Sequence, residues 1–405
     1  MRPSILYLSY DGMLEPLGQS QVLRYLEGLA GTHVIHLVSF EKPEDWSRPG
    51  EAAAMGARLR AVGIRWHPLR YHRTPSALAT AWDIARGTLL AVWLAWRHRV
   101  QVVHARSYVA AVMALAVRRL SPARFLFDMR GFWADERVDG GLWPAGGALY
   151  RVAKRFERTF LLRADCIVSL THAGVRAMQG FPYLRGLPRR FEVIPTCADL
   201  DRFRLADSGA STQGAPPRPF TVGYVGSVGL WYLFDETVRC LALLRERRPE
   251  ARLLVLNRGE HAYIRNRLAA GGIPPDSVDL RAADQAEVAQ AMREMDASVF
   301  FITPAFSKLA SAPTRLGEFL GSGVPCLGNA GVGDMAELLR EERVGVALER
   351  LDDASLREGI DQLLALADDP GIRHRCRQAA ERHFALHEGV RRYAAIYRSL
   401  AEAVA

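Results

Sequence analysis

The stretch from Phe301 to Pro325 concentrates the residue types that could hold a phosphorylated ligand. It reads Phe301-Ile-Thr-Pro-Ala-Phe-Ser-Lys308-Leu-Ala310-Ser311-Ala-Pro313-Thr314-Arg315-Leu-Gly-Glu318-Phe-Leu-Gly-Ser-Gly-Val-Pro325. An apolar strand leads into a loop bearing Lys308, one of only three lysines in the chain beside Lys42 and Lys154. Ser311 or Ala312 then caps a helix with Pro313 at its start, where a missing N–H costs nothing. The helix N-terminus with Ser311 and Thr314, together with Lys308 and Arg315, makes an anion site: dipole, backbone donors and two cations converge. Glu318 lies about one turn in, where its carboxylate could accept both hydroxyls of a ribose. A solvated first-turn acid favoured by the helix dipole would read the same.

Other candidates sit at strand ends. Gly226 and Ser227 follow the strand Thr221–Val225, Arg258 follows Arg252–Leu256, and Gly331 lies in Asn329-Ala-Gly331-Val-Gly333-Asp334. Close backbone approach to a ligand and plain turn geometry both explain these glycines. Near the start, Glu15 and Gly18 fall in Asp11-Gly-Met-Leu-Glu15-Pro-Leu-Gly18-Gln-Ser20, where strand gives way to helix and Ser20 is placed to cap. Such a loop suits a phosphate or acceptor contact; a flexible surface loop is the other reading. His104 and Arg106 end the strand Val102–Ala105, as hydrogen-bond donors to a sugar or as satisfied core groups. Asp128-Met-Arg130-Gly-Phe-Trp133-Ala-Asp135-Glu136 mixes carboxylates with aromatics, which suits an acceptor carbohydrate or a charged loop held by aromatic packing.

The elements that must position these residues alternate from end to end. β-Branched runs at Ile5–Ser9, Val34–Ser39, Ile64–Pro68, Val102–Ala105, Arg124–Asp128, Cys166–Ser169 and Glu192–Ile194 are separated by helical periods such as Ser20–Ala30, Ala77–His98 and Leu149–Arg163. The alternation restarts at Thr221–Val225, Arg252–Leu256, Val278–Leu280, Ala297–Phe301, Val324–Leu327 and Val344–Ala347. That pattern predicts an α/β chain of two doubly wound Rossmann-like domains with parallel sheets. The expected boundaries are 1–205, a Gly/Ser/Pro-rich linker at 206–219, 220–385, and a final helical segment at 386–405. Ligands in such sheets bind beyond the carboxyl ends of the strands, which is where every candidate above falls.

Composition narrows the class. Hydrophobic content of 49% and charged content of 24% are those of a globular protein, and 405 residues suit two domains. Five scattered cysteines without a CxxC pair argue against a disulfide framework or zinc site and for a reducing, cytoplasmic setting. The run Ile5–Leu8 is too short for a signal peptide, and Thr88–Trp96 too short to span a bilayer. A net charge of +9 suits nucleic acid, anionic lipid or a phosphorylated ligand; the excess is almost all arginine and by itself selects none of them. Ala77–Arg99, with Trp82, Trp93 and Trp96 and a basic end, joins Arg151, Lys154, Arg155 and Arg158 as a candidate surface for anionic membrane. A core-facing helix with a basic last turn fits equally.

Four segments carry a family resemblance: Ser9-Tyr-Asp-Gly-Met-Leu-Glu-Pro-Leu-Gly18-Gln-Ser-Gln, Val193-Ile-Pro-Thr-Cys-Ala-Asp199-Leu-Asp-Arg-Phe203, Tyr224-Val-Gly-Ser227, and Ser311 to Pro325. Through them the chain resembles glycosyltransferase family 4, the retaining enzymes of the GT-B fold, over essentially its whole length. The resemblance implies metal-independent sugar transfer from a nucleotide-diphosphate sugar, UDP- or GDP-linked, with no further cofactor, in a cleft between the domains. It places Glu318 on the nucleotide ribose, Gly18 near the donor phosphate and His104–Arg106 facing the transferred sugar. It also implies a last helix returning to the first domain. Two positions depart from the family pattern: Ala310 stands where an acidic residue contacts the donor sugar, and Ser227 where an arginine contacts the diphosphate. A branch that assembles bacterial surface polysaccharides looks similar at both, so the expected acceptor is a saccharide or lipid-linked saccharide and the expected ligands include no nucleic acid. A sugar-nucleotide 2-epimerase and a non-catalytic nucleotide-sugar-binding subunit are the rival readings. An NAD enzyme is disfavoured because neither half shows the glycine fingerprint with its downstream acid.

Overall fold

Short runs of Val, Ile, Leu and Phe bounded by polar residues become strands buried on both faces, as a parallel sheet requires. Ile5, Leu6 and Leu8 of the first strand, for example, are fully buried. The computed structural model describes residues 2–74, 76–205 and 218–404. Its strands are β1 (Ser4–Ser9), β2 (Val34–Glu41), β3 (Arg65–Arg70), β4 (Val102–Arg106), β5 (Arg124–Asp128), β6 (Cys166–Ser169) and β7 (Phe191–Val193) in one sheet. The other sheet holds β8 (Thr221–Val225), β9 (Arg252–Leu256), β10 (Val278–Arg281), β11 (Ala297–Val299), β12 (Cys326–Asn329) and β13 (Gly345–Leu348). Their orders are β3-β2-β1-β4-β5-β6-β7 and β10-β9-β8-β11-β12-β13, and every pair is parallel. The strand order reverses between β1 and β4 and again between β8 and β11. These are the switch points at which doubly wound sheets bind ligands.

The chain forms two compact units, Met1–Pro195 with Leu386–Ala405, and Thr196–Ala385. The division falls ten residues before the expected boundary at 205, and the reason is packing. Leu200 and Phe203 join the apolar core of the second unit, Ala198 N donates to Phe384 O at 2.8 Å, and Arg377 donates to Leu200 O and Phe203 O. Most of the expected linker, residues 206–217, lies outside the described residues.

Five helices matter below: α1 (Ser76–Arg97), α2 (Ser107–Leu120), α3 (Ala148–Arg163), α4 (Thr314–Gly321) and α5 (Leu386–Glu402). Among the described residues no helix is long and apolar enough to cross a membrane. α1 approaches the sheet through Gly87, where a Cβ would lie 2.5 Å from Met113 Sδ of α2 and 2.9 Å from Phe40 Cζ of β2. Its one acid, Asp83, is fully buried and accepts from Tyr10 Oη, His72 N and His72 Nδ1. The end of α1 is anchored by stacked histidines, with His36 of β2 between His67 (3.3 Å, Nδ1 to Nε2) and His98 (ring centroids 4.1 Å), and with Arg65 alongside.

Burial, with His98, His67 and Arg65 adding to it, lowers the His36 pKa to about 3, and His67 and His98 are lowered as well. A histidine held neutral in the fold binds fewer protons than it does unfolded. Its stabilisation is therefore complete above about pH 6.5 and is lost as the pH falls toward 3. For His36 alone this amounts to about 2 kcal/mol at pH 5. Thermal melts at pH 7.5 and pH 5 should show the first unit losing several degrees at the lower pH, and His36→Asn should remove much of the difference. An unchanged difference in the variant would mean that the cluster does not govern it.

Candidate functional site

On the second unit, the loops after β8, β9, β11 and β12 are hydrogen-bonded into one rim. Gly226 N donates to Leu256 O (3.0 Å) and Asn257 Nδ2 to Gly226 O (2.9 Å). Thr303 N donates to Trp231 O (2.9 Å), and buried Asn329 accepts from Ile302 N while donating back to Ile302 O. Gly333 N donates to Lys308 O (2.9 Å). Gly226 (φ 129°) and Gly331 (φ 83°) sit where other residues are strained. Glu260 braces the rim, accepting from Val228 N and Asn257 Nδ2. Ser227 and Arg258 are exposed on it, and Tyr224 Oη donates to Ser227 O at 2.7 Å. The helix after β8 starts at Phe234.

Lys308 is 6% exposed, and its Nζ sits 3.6 Å from the centre of the Trp231 ring. A desolvated cation over an indole face is stabilised by about 2 kcal/mol. Ser311 and Ala312 do not cap α4. Pro313 holds the residue before it out of helical geometry, so the helix begins at Thr314 with an extended Pro313 as its N-cap and no side-chain cap. Ser311 N instead donates to Lys308 O, closing a short 3₁₀ turn at Phe306–Ala310.

Glu318 is 8% exposed and paired with Arg315, which rules out the solvated-acid reading. Burial raises its pKa, with Arg315 and Arg202 pulling part of the way back. Gly317 beside it packs on Phe384, with a would-be Cβ 2.9 Å from the ring, which presses this turn of α4 into the unit. Ala310 is fully buried in the 3₁₀ turn that carries Lys308. Trp231, Asn257 and Glu260 went unnoticed in the sequence. Asn257, immediately after a strand, was the one readable signal.

On the first unit the expected anion loop is filled from within. The amides of Met13 and Leu14 donate to the carboxylate of buried Glu41 at 2.9 and 3.1 Å, and Gly12 N to Glu15 Oε1. Burial raises the Glu41 pKa against those hydrogen bonds. Glu15 pairs with Lys42 at 2.5 Å. Gly18 is helical, not a loop residue; a Cβ there would lie 2.0 Å from Gly12 O, so its role is close packing. Ser20 bonds back to Pro16 O rather than capping, because the helix has already begun at Pro16.

His104 is not at a strand end. It is the third residue of β4 and 1% exposed, enclosed by Tyr7, Tyr393 and Tyr397. Its Nδ1 is 2.7 Å from Tyr397 Oη and its Nε2 3.5 Å from Asp128 Oδ2. Burial lowers its pKa against the pull of Asp128. Asp128 accepts from Tyr393 Oη at 3.0 Å. Burial pushes its carboxyl up, but Arg130, His104 and Arg106 outweigh it and the net shift is downward. Arg106 donates to Asp11 (2.7 Å) and Gln21 (3.0 Å), and Arg130 to Gln21 (3.2 Å). Ser107 (φ 70°) and Arg130 (φ 60°) are strained non-glycine residues following β4 and β5.

Trp133 opens the helix Trp133–Asp139, edge-on to Trp143 and beneath Arg137. Asp135 is buried and committed to Tyr150 (2.9 Å) and Lys154 (2.8 Å). The structure thus gathers His104, Arg106 and Arg130 into one cluster with Asp128, Tyr393 and Tyr397. It keeps Glu15, Trp133 and Asp135 in separate local networks.

Comparison with known proteins bears on this arrangement. Residues 18–197 match the family model for the glycosyl transferase 4-like domain, and no curated protein matches the sequence. The fold is similar to sucrose-phosphate synthase from Thermosynechococcus elongatus (TM-score 0.74, 15% identity, 99% of this chain and 100% of that chain). It is also similar to HepE from Anabaena in complex with UDP and glucose (0.66, 13%, 98% and 100%). A third relative is WaaG, a glycosyltransferase involved in lipopolysaccharide biosynthesis (0.65, 16%, 97% and 99%). The two Rossmann-like sheets therefore have the GT-B fold of those structures, and residues 18–197 are similar to the glycosyl transferase 4-like domain.

Proposed function

We propose that this protein is a retaining hexosyltransferase. It moves a sugar from a UDP- or GDP-linked donor to a saccharide or lipid-linked acceptor in bacterial surface-polysaccharide synthesis, working in the cytoplasm. The observation that carries the reading is buried Glu318 paired with half-exposed Arg315 on α4, the helix that follows the Lys308 loop after β11, at the β8/β11 switch point. The glycosyl transferase 4-like match supports it. A fold relative that holds UDP and glucose supports a UDP-linked donor, and one that works in lipopolysaccharide synthesis supports the pathway.

In this reading Glu318 accepts the ribose hydroxyls. Lys308, Arg315 and the N-terminus of α4, with Ser311 and Thr314, hold the diphosphate, and Gly226, Ser227, Arg258 and Gly331 complete the donor rim. Fixed cations and helix-end donors stabilise the departing diphosphate, an electrostatic role worth several kcal/mol, without a metal ion. In this reading no side chain serves as a covalent nucleophile. The sugar therefore transfers on the face from which the diphosphate leaves, and a phosphate oxygen takes the acceptor proton. Arg106 and Arg130 serve the sugar side. His104, enclosed as it is, is a positioning residue that sets Asp128 and Tyr397.

The test is a thermal-shift panel of UDP, GDP, ADP and their sugars without added metal, followed by turnover of the stabilising donor. Stabilisation by one nucleotide and a glycosidic product are the expected outcome. Stabilisation without turnover would favour a non-catalytic binding subunit, which an alanine at the buried position 310 also suits. Release of a free epimer would replace the reading with an epimerase, and no response to any nucleotide would remove it.

A further inference from the structure

α1 has two apolar faces, and the fold covers only one. Ala79, Ala91 and Leu94 are buried, whereas Leu78, Trp82, Leu89, Trp93 and Trp96 are between 57% and 74% exposed. The exposed positions recur every three or four residues once Ala85 is counted, so they form one stripe along the helix. α2 packs between α1 and α3. On α3, Leu149, Val152 and Phe156 form a second exposed apolar row.

Charge decides what covers this face. The sole acid of α1, Asp83, and the sole acid of α3, Glu157, are both fully buried and bonded inside the unit. The exposed charges the two helices present are Arg97, Arg151, Arg155, Arg158 and Arg163, with Arg99 just beyond α1. A second copy of the chain on this face would set arginine against arginine. Indole rings with arginines beside them and no exposed carboxylate on either helix match the headgroup boundary of an anionic bilayer, where tryptophan sits half-immersed and cations meet phosphate.

We propose that the α1–α3 face docks the first unit on an anionic lipid surface, with α1 lying in the plane of the interface. The proposal stands whether or not the second unit transfers a sugar. The experiment is flotation of the full chain with vesicles of phosphatidylcholine alone or mixed with phosphatidylglycerol, alongside its mass in solution. Wild type should float with the mixed vesicles only. Trp93→Glu/Trp96→Glu and, separately, Arg151→Glu/Arg155→Glu should each weaken binding about tenfold or more. All four side chains are exposed, so unchanged melting temperatures would show that the fold is retained. Failure of wild type to float, equal binding to neutral vesicles, or undiminished binding by both variants would overturn the proposal. So would a dimer in solution that the tryptophan variant dissolves.

Discussion

Glu318→Gln is expected to lower kcat/KM for the donor by about 10²-fold or more. Hydrogen bonds to a charged acceptor contribute about 1.5–3 kcal/mol each. Two ribose hydroxyls on one carboxylate therefore correspond to about 3–6 kcal/mol, or 10²–10⁴-fold. Glutamine keeps the volume and one acceptor, so part of the binding survives and the low end of that range is expected. The substitution also leaves Arg315 without its partner, but that side chain is 38% exposed and solvent takes over. Stability should change little, since neutralising a buried carboxylate also removes its desolvation cost. In the proposed reading the ionised form binds the ribose, and burial raises its pKa. Donor affinity of the wild type should accordingly fall on mild acidification, sooner than for an ordinary carboxylate, and the glutamine variant should lose that dependence. Steady-state kinetics with melting curves checks all of this. Unchanged kcat/KM in a folded variant would remove Glu318 from the nucleotide.

Asp128→Ala should be the most damaging single change to the first unit. Asp128 is 2% exposed, and its carboxylate faces Arg130, His104 and the hydroxyl of Tyr393. Removing one partner from a buried charged cluster leaves the others desolvated and uncompensated, at about 3–5 kcal/mol. In a domain of this size that amounts to a fall of about 10 °C in melting temperature. The sign with pH follows from the lowered pKa. A carboxylate more acidic in the fold than unfolded stabilises above its unfolded pKa of about 3.9, and that stabilisation is lost as the pH falls through the folded value. Calorimetry at pH 7 and at pH 3 should therefore show the gap between wild type and Asp128→Asn narrowing at the lower pH. A drop of less than about 2 °C for Asp128→Ala at pH 7 would mean that the cluster does not hold α5 in place.

The sheets were legible because strand signals are local. Arg124–Asp128 and Arg252–Leu256 are short runs with an unbroken apolar middle, Phe125–Phe127 and Leu253–Leu256, and the strands found are those expected. The same holds for Thr314–Gly321, whose start is set by Pro313 within a residue of the expected place. Candidate residues could be sought at strand ends for a topological reason, since a parallel sheet presents its loops at the carboxyl edge.

What the sequence by itself determined is the alternation of elements, hence two doubly wound halves, and the placing of Lys308, Arg315 and Glu318 in the loop and helix after β11. The tertiary structure alone decided which candidate groups are buried and what each one touches. His104 turned inward because Tyr393 and Tyr397 of α5, nearly three hundred residues away, close over it. The amides of Met13 and Leu14 went to Glu41, a partner no local pattern marks. Lys308 acquired Trp231, and Thr196–Phe203 joined the second unit through the packing of Leu200 and Phe203. Periodicity also could not choose between the two apolar faces of α1. Spacing says which residues share a face, but only packing against a particular neighbour says which face is covered, and that depends on residues distant in the chain.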